Sequence, residues 1–465
     1  MSNAQSQYII ERVLFYTDRF PEFGQDNNPN SKPIDIRGSV AELNIYESLE
    51  RPYLTASMTF VDDTKLKSKF GIKGSEKIQI GLQAKKSSKL FLKDFMITGL
   101  ASNISVNDKT EVHTVTLLEE HAYLSAIQKI SKSYKGHPEV IISNILKSEL
   151  NKDVFFFSEN SSQQSPMRVN IPYWRPLDAA DWLRDRMAYS NGSPYFLYST
   201  IRDDKLIMND LDTLVREDAW NKDDAYTFSQ AAAITDPGTS NSPDRLRKEL
   251  FHIKSFKASS IESTLRLAEG GAIGSHFNVH DLTSGSAVTD SFHSANETLN
   301  KFVQSIDAGS DIESSLGYDN TLMMGPSKKR EINISSFPSK IFSSIVTSRQ
   351  HYEEDGKTPL AGYHDEPKQS ALYKLKIKSA SLRAILMNNV YQINVTGIPY
   401  LASDGIGVGT NIQVHYPEST MVSKGSNQLD KDKSGKFLVY RTRHKFTEGI
   451  HDTIMDIVKL TDKTK

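Results

Sequence analysis

A strand pattern occurs twice in this chain, once near each end, and it constrains the fold more than any other feature of the sequence. The matched segments are 74–80 with 408–414, 95–98 with 437–440, and 112–115 with 453–456. The separations agree in the two copies, except for a longer polar loop before Phe437. Two copies of one strand module around a dissimilar middle predict equivalent geometric roles, as in an assembly whose low symmetry imitates a higher one.

Length and composition bound the classes of protein that fit. The 465 residues predict several domains, about three to four at ordinary domain sizes. The 56 Lys and Arg residues nearly cancel the 57 Asp and Glu residues, so no overall attraction to nucleic acid or an anionic membrane is expected. The chain has no cysteine, which excludes disulfides and thiolate chemistry. We recognise no signal peptide and no long apolar run, and expect a soluble product.

The first module is predicted to be a meander of strands. Ile78, Ile80 and Leu82 alternate with polar residues, which is the period of a strand with one buried face. A shift of the apolar register before Leu43 predicts a β-bulge near Ala41.

The middle of the chain is predicted to be α+β. Apolar spacing becomes helical after Glu120 as far as Ile130, and again over 141–150. Pro176 opens a further helix, and residues 195–209 predict a β-hairpin across an Asp-Asp turn.

The second half of the chain carries weaker signals. Residues 231–244 are small and polar, as in a linker, and residues 250–267 have strand character. The polar stretches 284–313 and 352–368 predict irregular exposed segments, and the second module is predicted over 373–460. The predicted fold is mainly β with an α+β insertion. The predicted domains are 1–120, 121–230, 231–370 and 371–465.

Few residues suggest catalysis or metal binding. His276 and His280 lie four apart beside Asp281, a spacing that could place two metal ligands on one helix face, but nearby glycines and the lack of a third ligand favour a structural role. Residues 119–121 (Glu-Glu-His) could supply acid–base groups, although carboxylates at a strand-to-helix junction more often complement the helix N-terminus. The cations at 328–330 could contact phosphates, but such a run is usually a solvated surface.

Three aromatic residues invite a sugar-binding interpretation. They are Tyr173, Trp174 and Trp182. A core or inter-domain wedge is the favoured reading, because Trp182 lies in an amphipathic helix beside Leu183.

The chain resembles the baseplate hub proteins of contractile-tailed phages of the T-even type. The likeness begins with Leu-Asn-Ile-Tyr-Glu and the strand that follows it, and it ends in a segment similar to the second tube domain shared with type VI secretion spike proteins. The segments that carry it are 43–63, 174–183, 195–198, 256–275, 409–414, 434–439 and 443–444, which together span nearly the whole chain.

The resemblance implies two tube-like β-barrel domains per subunit, flanking the middle domains, and a homotrimer whose six barrels form a pseudo-hexameric ring. Such a ring joins the sixfold tail tube to the threefold central spike, and it contacts the first tail-tube ring and the baseplate wedge proteins. DNA passes through its channel without sequence-specific binding. The implied location is the virion tail baseplate, made in the bacterial host cytoplasm and without membrane insertion. The family supplies no catalytic, cofactor-binding or metal residues, so none is assigned and no enzymatic activity is expected.

The duplicated strands yield two further expectations. Ile412, Val414 and Tyr416 are predicted to form the apolar face of the second module. The polar strand positions predicted to face the channel or the outer solvent are Lys77, Gln79, Asn411 and Gln413.

Two other functions remain open. A cell-wall hydrolase carried at the tail tip requires a pair of carboxylates in a cleft, and the sequence spacing identifies none. A glycan-binding module would use the three aromatic residues.

Overall fold

The fold is mainly β, as predicted from the sequence. A computed structural model describes residues 8–16, 33–63, 65, 72, 74–84, 89–105, 110–157, 166–187, 192–228, 249–258, 264–271, 275–283, 285–292, 321–323, 331–333, 340–346, 350–352, 355, 357–364, 379–384, 386–387, 390–397, 400, 407–417, 429–430, 433–447 and 449–461. Within these ranges, no helix has the length and apolar character needed to cross a membrane.

The elements follow one another in this order. The strands are β1 (Tyr8–Tyr16), β2 (Ile34–Asp35), β3 (Val40–Ser48), β4 (Thr55–Asp62), β5 (Lys77–Ala84), β6 (Leu90–Ser105), β7 (Glu111–Glu119), β8 (Ile130–Gly136), β9 (Val154–Phe156), β10 (Met167–Trp174), β11 (Tyr195–Tyr198), β12 (Leu206–Asp210), β13 (Tyr226–Thr227), β14 (Ile253–Ala258), β15 (Ser275–Asp281), β16 (Ser286–Phe292), β17 (Thr321–Met323), β18 (Glu331–Asn333), β19 (Lys340–Val346), β20 (Gln350–Tyr352), β21 (Pro359–His364), β22 (Val390–Thr396), β23 (Asn411–His415), β24 (Gly435–Thr447) and β25 (Ile450–Thr461). The helices are α1 (Glu120–Ile127), α2 (Pro138–Leu150), α3 (Pro176–Arg184), α4 (Leu211–Arg216) and α5 (Thr264–Gly270), with a 3-10 turn at Arg37–Ser39.

One large sheet contains both modules. Its strand order is β14-β22-β25-β24-β3-β4-β7-β6-β5-β1-β2, and β23 with β13 branches from β24. The first module is β3-β4-β7-β6-β5 and the second is β14-β22-β25-β24-β23. They meet where β3 pairs with β24, from Ser48 opposite Arg441 to Glu42 opposite Thr447, and we call this pairing the module junction.

The two modules pair their strands in equivalent registers. Ile78 lies opposite Phe95 between β5 and β6, and Ile412 lies opposite Phe437 between β23 and β24. These are the residues that the sequence comparison matched. The third matched segment is wrong by one residue, because Phe95 lies opposite Glu119 and Phe437 lies opposite Lys459, which makes Val112 equivalent to Asp452 and not to Thr453. Both long strands also shift register three residues further on, within 97–99 in β6 and within 439–441 in β24.

A second pair of bulges repeats in the same way. The register shifts between Val40 and Glu42 in β3, which confirms the predicted bulge near Ala41. In the second module, β14 shifts between Ile253 and Ser255, at the equivalent place relative to its partner strand. Because a bulge bends and twists its strand, its repetition gives both modules the same local curvature.

The middle of the chain builds a separate core from α1, α2, α3 and the strands around them. The predicted helix from Pro176 and the hairpin over 195–209 are both present. Ile130 is not helical as predicted, because it begins β8, which pairs along β10 and contributes a buried side chain to this core.

Three predictions for the second half need correction. Residues 250–267 are not all strand, since α5 begins at Thr264 and buries Leu267. The stretch 352–368 contains β21, which pairs with β20 and β10, so backbone pairing orders a segment whose side chains are largely polar. Part of 284–313 forms β16, paired with β15. The predicted linker at 231–244 lies outside the described residues.

Candidate functional surface

The large sheet has an apolar face against the core and a polar face on its other side. The alternation of side chains along each strand separates them. We use the name polar face for the outward positions Glu42, Asn44, Ser57, Thr59, Lys77, Gln79, Asp94, Thr114, Thr116, Gln392, Asn394, Arg443, Lys445, Asp452 and Asp456. It crosses the module junction without interruption.

Hydroxyl pairs connect strands on the first-module part of the polar face. The Oγ1 atoms of Thr59 and Thr114 lie 3.0 Å apart, and those of Thr98 and Thr116 also lie 3.0 Å apart. Cross-strand pairs of this kind stabilise a sheet by roughly 0.2–1 kcal/mol each. They also leave a surface that carries no charge.

Charged residues on this part of the face are paired. Lys77 Nζ lies 2.9 Å from Asp94 Oδ2 and 3.0 Å from Glu120 Oε2, and Gln79 Nε2 donates to Asp94 Oδ1 at 2.9 Å. Partial burial lowers the pKa of Lys77, but its hydrogen bonds to Asp94 and Glu120 outweigh this and raise the pKa overall. Lys77 and Gln79 thus lie on the outward face, as predicted.

The module junction repeats this pattern of compensated charge. Arg443 Nε donates to Asn44 Oδ1 at 3.0 Å, and Lys445 Nζ lies 3.8 Å from Glu42 Oε2. Lys254 pairs with the carboxylate of Asp452 at the far end of the second module. The polar face is therefore rich in charged groups, and most of its cations have an acidic or amide partner.

Asn411 and Gln413 do not face solvent or a channel as predicted, because both are buried. The Asn411 side chain donates to the carbonyl of Leu214 at 2.6 Å, and the Asn221 side chain accepts from the Gln413 N–H at 2.6 Å. The strand β23 is covered on both faces because residues of the middle block pack on it. The predicted burial of Ile412 and Val414 is confirmed.

A buried carboxylate at the module junction was not anticipated from the sequence. Glu47, in β3, is 2% exposed. It accepts hydrogen bonds from the N–H of Ile201 at 2.7 Å, from the Thr442 hydroxyl at 3.0 Å and from the Tyr400 hydroxyl. Burial raises the pKa of Glu47, but His444, Tyr400 and the Ile201 N–H together lower it below its ordinary value. One side chain thereby ties both modules to the middle block.

Two histidines extend this buried network. The Nε2 atom of His444 lies 3.7 Å from Glu47 Oε2, and His451 stacks against Phe446 with ring centroids 4.2 Å apart. Burial, together with His444 and Lys254, holds the pKa of His451 well below its ordinary value. The ring of His451 is therefore neutral in the folded chain at neutral pH.

Glu119 has a different role from the helix-capping one predicted for it. Its carboxylate is 2% exposed and accepts from the Leu54 N–H and the Ser199 hydroxyl, both at 2.9 Å. Lys152 and Lys93 lie 3.7 and 3.8 Å away. Burial raises the pKa of Glu119, but neighbouring positive charges and hydrogen bonds outweigh this and lower it. The cluster anchors the middle block to the first module.

The other two residues of that motif are also engaged in structure. Glu120 lies in the first turn of α1 and pairs with Lys77, consistent with the predicted complement to the helix N-terminus. His121 is buried, and its Nε2–H donates to the carbonyl of Pro52 at 2.7 Å. Burial lowers the pKa of His121. The contacts of Glu119, Glu120 and His121 therefore join parts of the fold, which favours a structural role over an acid–base one.

His276 and His280 lie on strand β15, so they are not on one helix face. Residues four apart on a strand are about 13 Å apart, too far to share one metal ion. No cluster of three or more potential ligands occurs among the residues that the structure describes. The cations at 328–330 lie outside those residues.

The three aromatic residues do not form one binding platform. Trp174 and Trp182 contact each other edge to face at 5.3 Å, at the rim of the middle-block core, as the wedge reading predicted. The guanidinium of Arg186 covers the ring of Trp182 at 3.4 Å. Tyr173 differs, because its side chain is 67% exposed and its backbone is left-handed, with φ 57°.

The fold of this chain is similar to that of a tail protein of known structure. The tail protein from Neisseria meningitidis MC58 matches with a TM-score of 0.51 and 11% identity, over 98% of each chain. The 43 kDa tail protein of prophage MuSo2 from Shewanella oneidensis matches at 0.49 and 9% identity, over 97% of this chain and 99% of that one. A Francisella PdpA–VgrG complex matches at 0.43 and 9% identity, over 99% of this chain and 54% of that one.

The match to the Neisseria tail protein confirms the predicted resemblance at the level of the fold. No protein-family model and no curated protein sequence matches the chain.

Proposed function

We propose that this chain is a structural hub subunit at the tail tip of a contractile phage or a related injection system. The observation that carries the proposal is the five-strand module that occurs twice in one sheet, with the same strand order and with two register shifts at equivalent positions. A subunit with two equivalent modules can present twice as many equivalent surfaces as there are subunits. The shared fold of a tail protein supports the same conclusion.

Three copies in this proposal supply six modules. They close into a pseudo-hexameric ring that joins the sixfold tail tube to the threefold central spike. Each module acts as a tube-like barrel domain. The first lies within 1–120, and the second consists of strands within 371–465 together with β14 from the 231–370 domain. The domain at 121–230 and the rest of 231–370 lie between them in the chain. The partners are the other two copies, the spike, the first tail-tube ring and the wedge proteins, and the location is the baseplate of the virion tail.

The polar face lines the channel of this ring. Its hydroxyl pairs and compensated charges support this assignment, because a polyanion is retained by unpaired cations that release its counterions. Lys77 and Lys445, which would be such cations, have carboxylate partners at 2.9 and 3.8 Å. DNA or an effector then passes without being held, and no sequence-specific contact is expected.

The role is structural rather than enzymatic. The hydrolase alternative requires two carboxylates that face each other across a cleft, with one free to act as an acid. A cavity beside α1 is lined by five carboxylates, those of Asp94, Glu119, Glu120, Asp153 and Asp204, and hydrogen bonds or ion pairs engage the first four. Purified peptidoglycan incubated with the protein should release no soluble fragments. Release above the level of a heat-treated sample would support the hydrolase.

Cryo-electron microscopy of the assembled tail tip tests the hub assignment. We expect three copies around the tail axis, with six similar modules lining one channel. Six copies in the ring, or a position away from the axis, would contradict the assignment. The sample must contain the spike, because the isolated subunit need not assemble without it.

A further inference from the structure

The two modules share their strand order, but equivalent strands, β24 and β6, are not paired along the same length of one edge. In the second module, the first half of β24 pairs with β23 and the second half pairs with β3 across the module junction. In the first module, the first half of β6 pairs with β5. Within the described part of the chain, no strand pairs with residues 99–105 of β6 on that same side.

The strand that would complete this edge has a counterpart at the other end of the sheet. The strand β14 stands in the second module where β3 stands in the first, since β14 pairs with β22 as β3 pairs with β4. Both carry a bulge at the same position. Among the described strands, β14 is the terminal strand of the sheet. A single bridge joins Thr227 of β13 to His252, just before β14, and no described strand pairs with the outer edge of residues 253–258.

The repeated registers give residue equivalences. Lys445 lies opposite Asp452 on β25, and Ile104 lies opposite Val112 on β7. Asp452 and Val112 are equivalent positions, because the residue numbers of β25 and β7 differ by one constant amount along both strands. Lys445 is thus equivalent to Ile104. By the same comparison, Asn44 of β3 is equivalent to Lys257 of β14.

We propose that β14 of one copy adds to the open edge of β6 in a second copy of this chain, antiparallel, with Lys257 opposite Ile104 and Phe256 opposite Ser105. This contact reproduces between copies the junction that Asn44 and Lys445 form within one chain. How many times this contact occurs in a closed ring depends on the proposed function. The contact itself rests on the repeated registers.

The exposure of the two strands fits this pairing. Ile104 is 59% exposed, and the neighbouring residues of its strand are also exposed. Lys257 is exposed on β14. An unpaired strand edge of this kind is a template for pairing with another chain, and closing the contact would satisfy its backbone groups.

The faces of the two strands agree as well. Ile104 lies opposite Val112 and Lys257 lies opposite Gln392, and both pairs point towards the polar face. A register one residue different would place a core-facing position of one strand beside an outward position of the other. The polar face would therefore continue from one copy into the next.

Cysteine pairing between two single variants tests the contact, because the native chain has no cysteine. Ile104→Cys protein is mixed with Lys257→Cys protein at high concentration, in the presence of the spike protein, and oxidised or treated with a short bismaleimide. Directly opposed residues in an antiparallel pair have Cβ atoms about 4.5–5.5 Å apart, within reach of either reaction. We expect covalent dimers from the mixture, and covalent trimers from the chain that carries both substitutions.

The control is Asn103→Cys mixed with Lys257→Cys, which places the thiols on opposite faces of the joined sheet. Loss of the dimer in this control supports the register. Equal yields, or no dimer with Ile104→Cys, would overturn the proposed contact.

Electron microscopy of the same samples separates this contact from the proposed function. Three-copy rings without the expected cross-link would overturn the contact and leave the hub assignment intact. Cross-linked open chains without closed rings would support the contact and contradict the hub assignment.

Discussion

The hydroxyl of Thr442 donates a hydrogen bond to the carboxylate of Glu47 at 3.0 Å, across 395 positions of the chain. This buried bond lies where the two modules meet and where Ile201 of the middle block also donates. The stability of the whole sheet therefore depends on a group whose neighbours come from three distant segments.

Replacing Glu47 by Ala should destabilise the chain strongly. The substitution leaves the buried Thr442 hydroxyl and Ile201 N–H without an acceptor, at a cost of about 2–4 kcal/mol in the free energy of unfolding. Glu42→Ala is the matched control on the polar face, where loss of a partly exposed ion pair costs about 0–1 kcal/mol. Urea titration of both variants measures the difference. Equal free energies of unfolding would contradict the central role of Glu47.

Acid should weaken the module junction in two stages. The folded chain keeps His451 neutral, because burial depresses its pKa, whereas the unfolded chain protonates it below its ordinary pKa of 6.5. The stabilisation is thus complete above pH 6.5 and is lost as the pH falls towards the folded pKa. Glu47, whose pKa is also lowered, adds a loss below its ordinary value of 4.5.

Thermal unfolding between pH 7 and pH 5 tests the first stage. We expect the unfolding temperature of the native chain to fall with pH, and His451→Asn to reduce this dependence. His280→Asn, at an exposed histidine of β15, should leave the dependence unchanged. The same slope in all three proteins would show that His451 does not carry the effect.

Gly397→Ala should be destabilising although the position is not left-handed. A Cβ atom there would lie 2.3 Å from Nδ1 of His451, which is closer than non-bonded atoms can approach. The His451 ring is already packed against Phe446. We expect a loss of about 1–3 kcal/mol, as for other overpacked sites. Gly38→Ala is the control, because no atom lies within 4 Å of its added Cβ. Similar melting of both variants would show that the His451 ring moves aside freely.

Ile412→Asp should unfold the second module. Ile412 is fully buried opposite Phe437, and an unpaired carboxylate there costs at least several kcal/mol. Thr116→Asp places the same group at an exposed position of the polar face and should be tolerated. Hydrogen exchange of β23 and β24 reports the local loss of structure. Native protection in Ile412→Asp would contradict the observed strand register.

Local patterns predicted most of the strands, but not the contacts that join them. The alternation of Leu43 and Ile45 would have placed Glu47 on the core side of β3, yet its partners at Ile201 and Tyr400 could not be found from sequence spacing. Asn411 was misplaced for a similar reason. Alternation of apolar and polar residues predicts that one face of a strand is exposed to solvent. Neither face of β23 is exposed, because the middle block around Leu214 covers the second face.

The bulges in β3 and β14 carry information about ancestry that the side chains no longer do. Ala41 and Lys254 stand at equivalent bulges, although their chemistry is unrelated. A bulge is an inserted residue, and removing it would shift every later side chain to the opposite face. Selection can therefore exchange the residue freely while the insertion itself persists. For β3 and β14, the position of the inserted residue therefore marks the repeated module although the inserted amino acid does not.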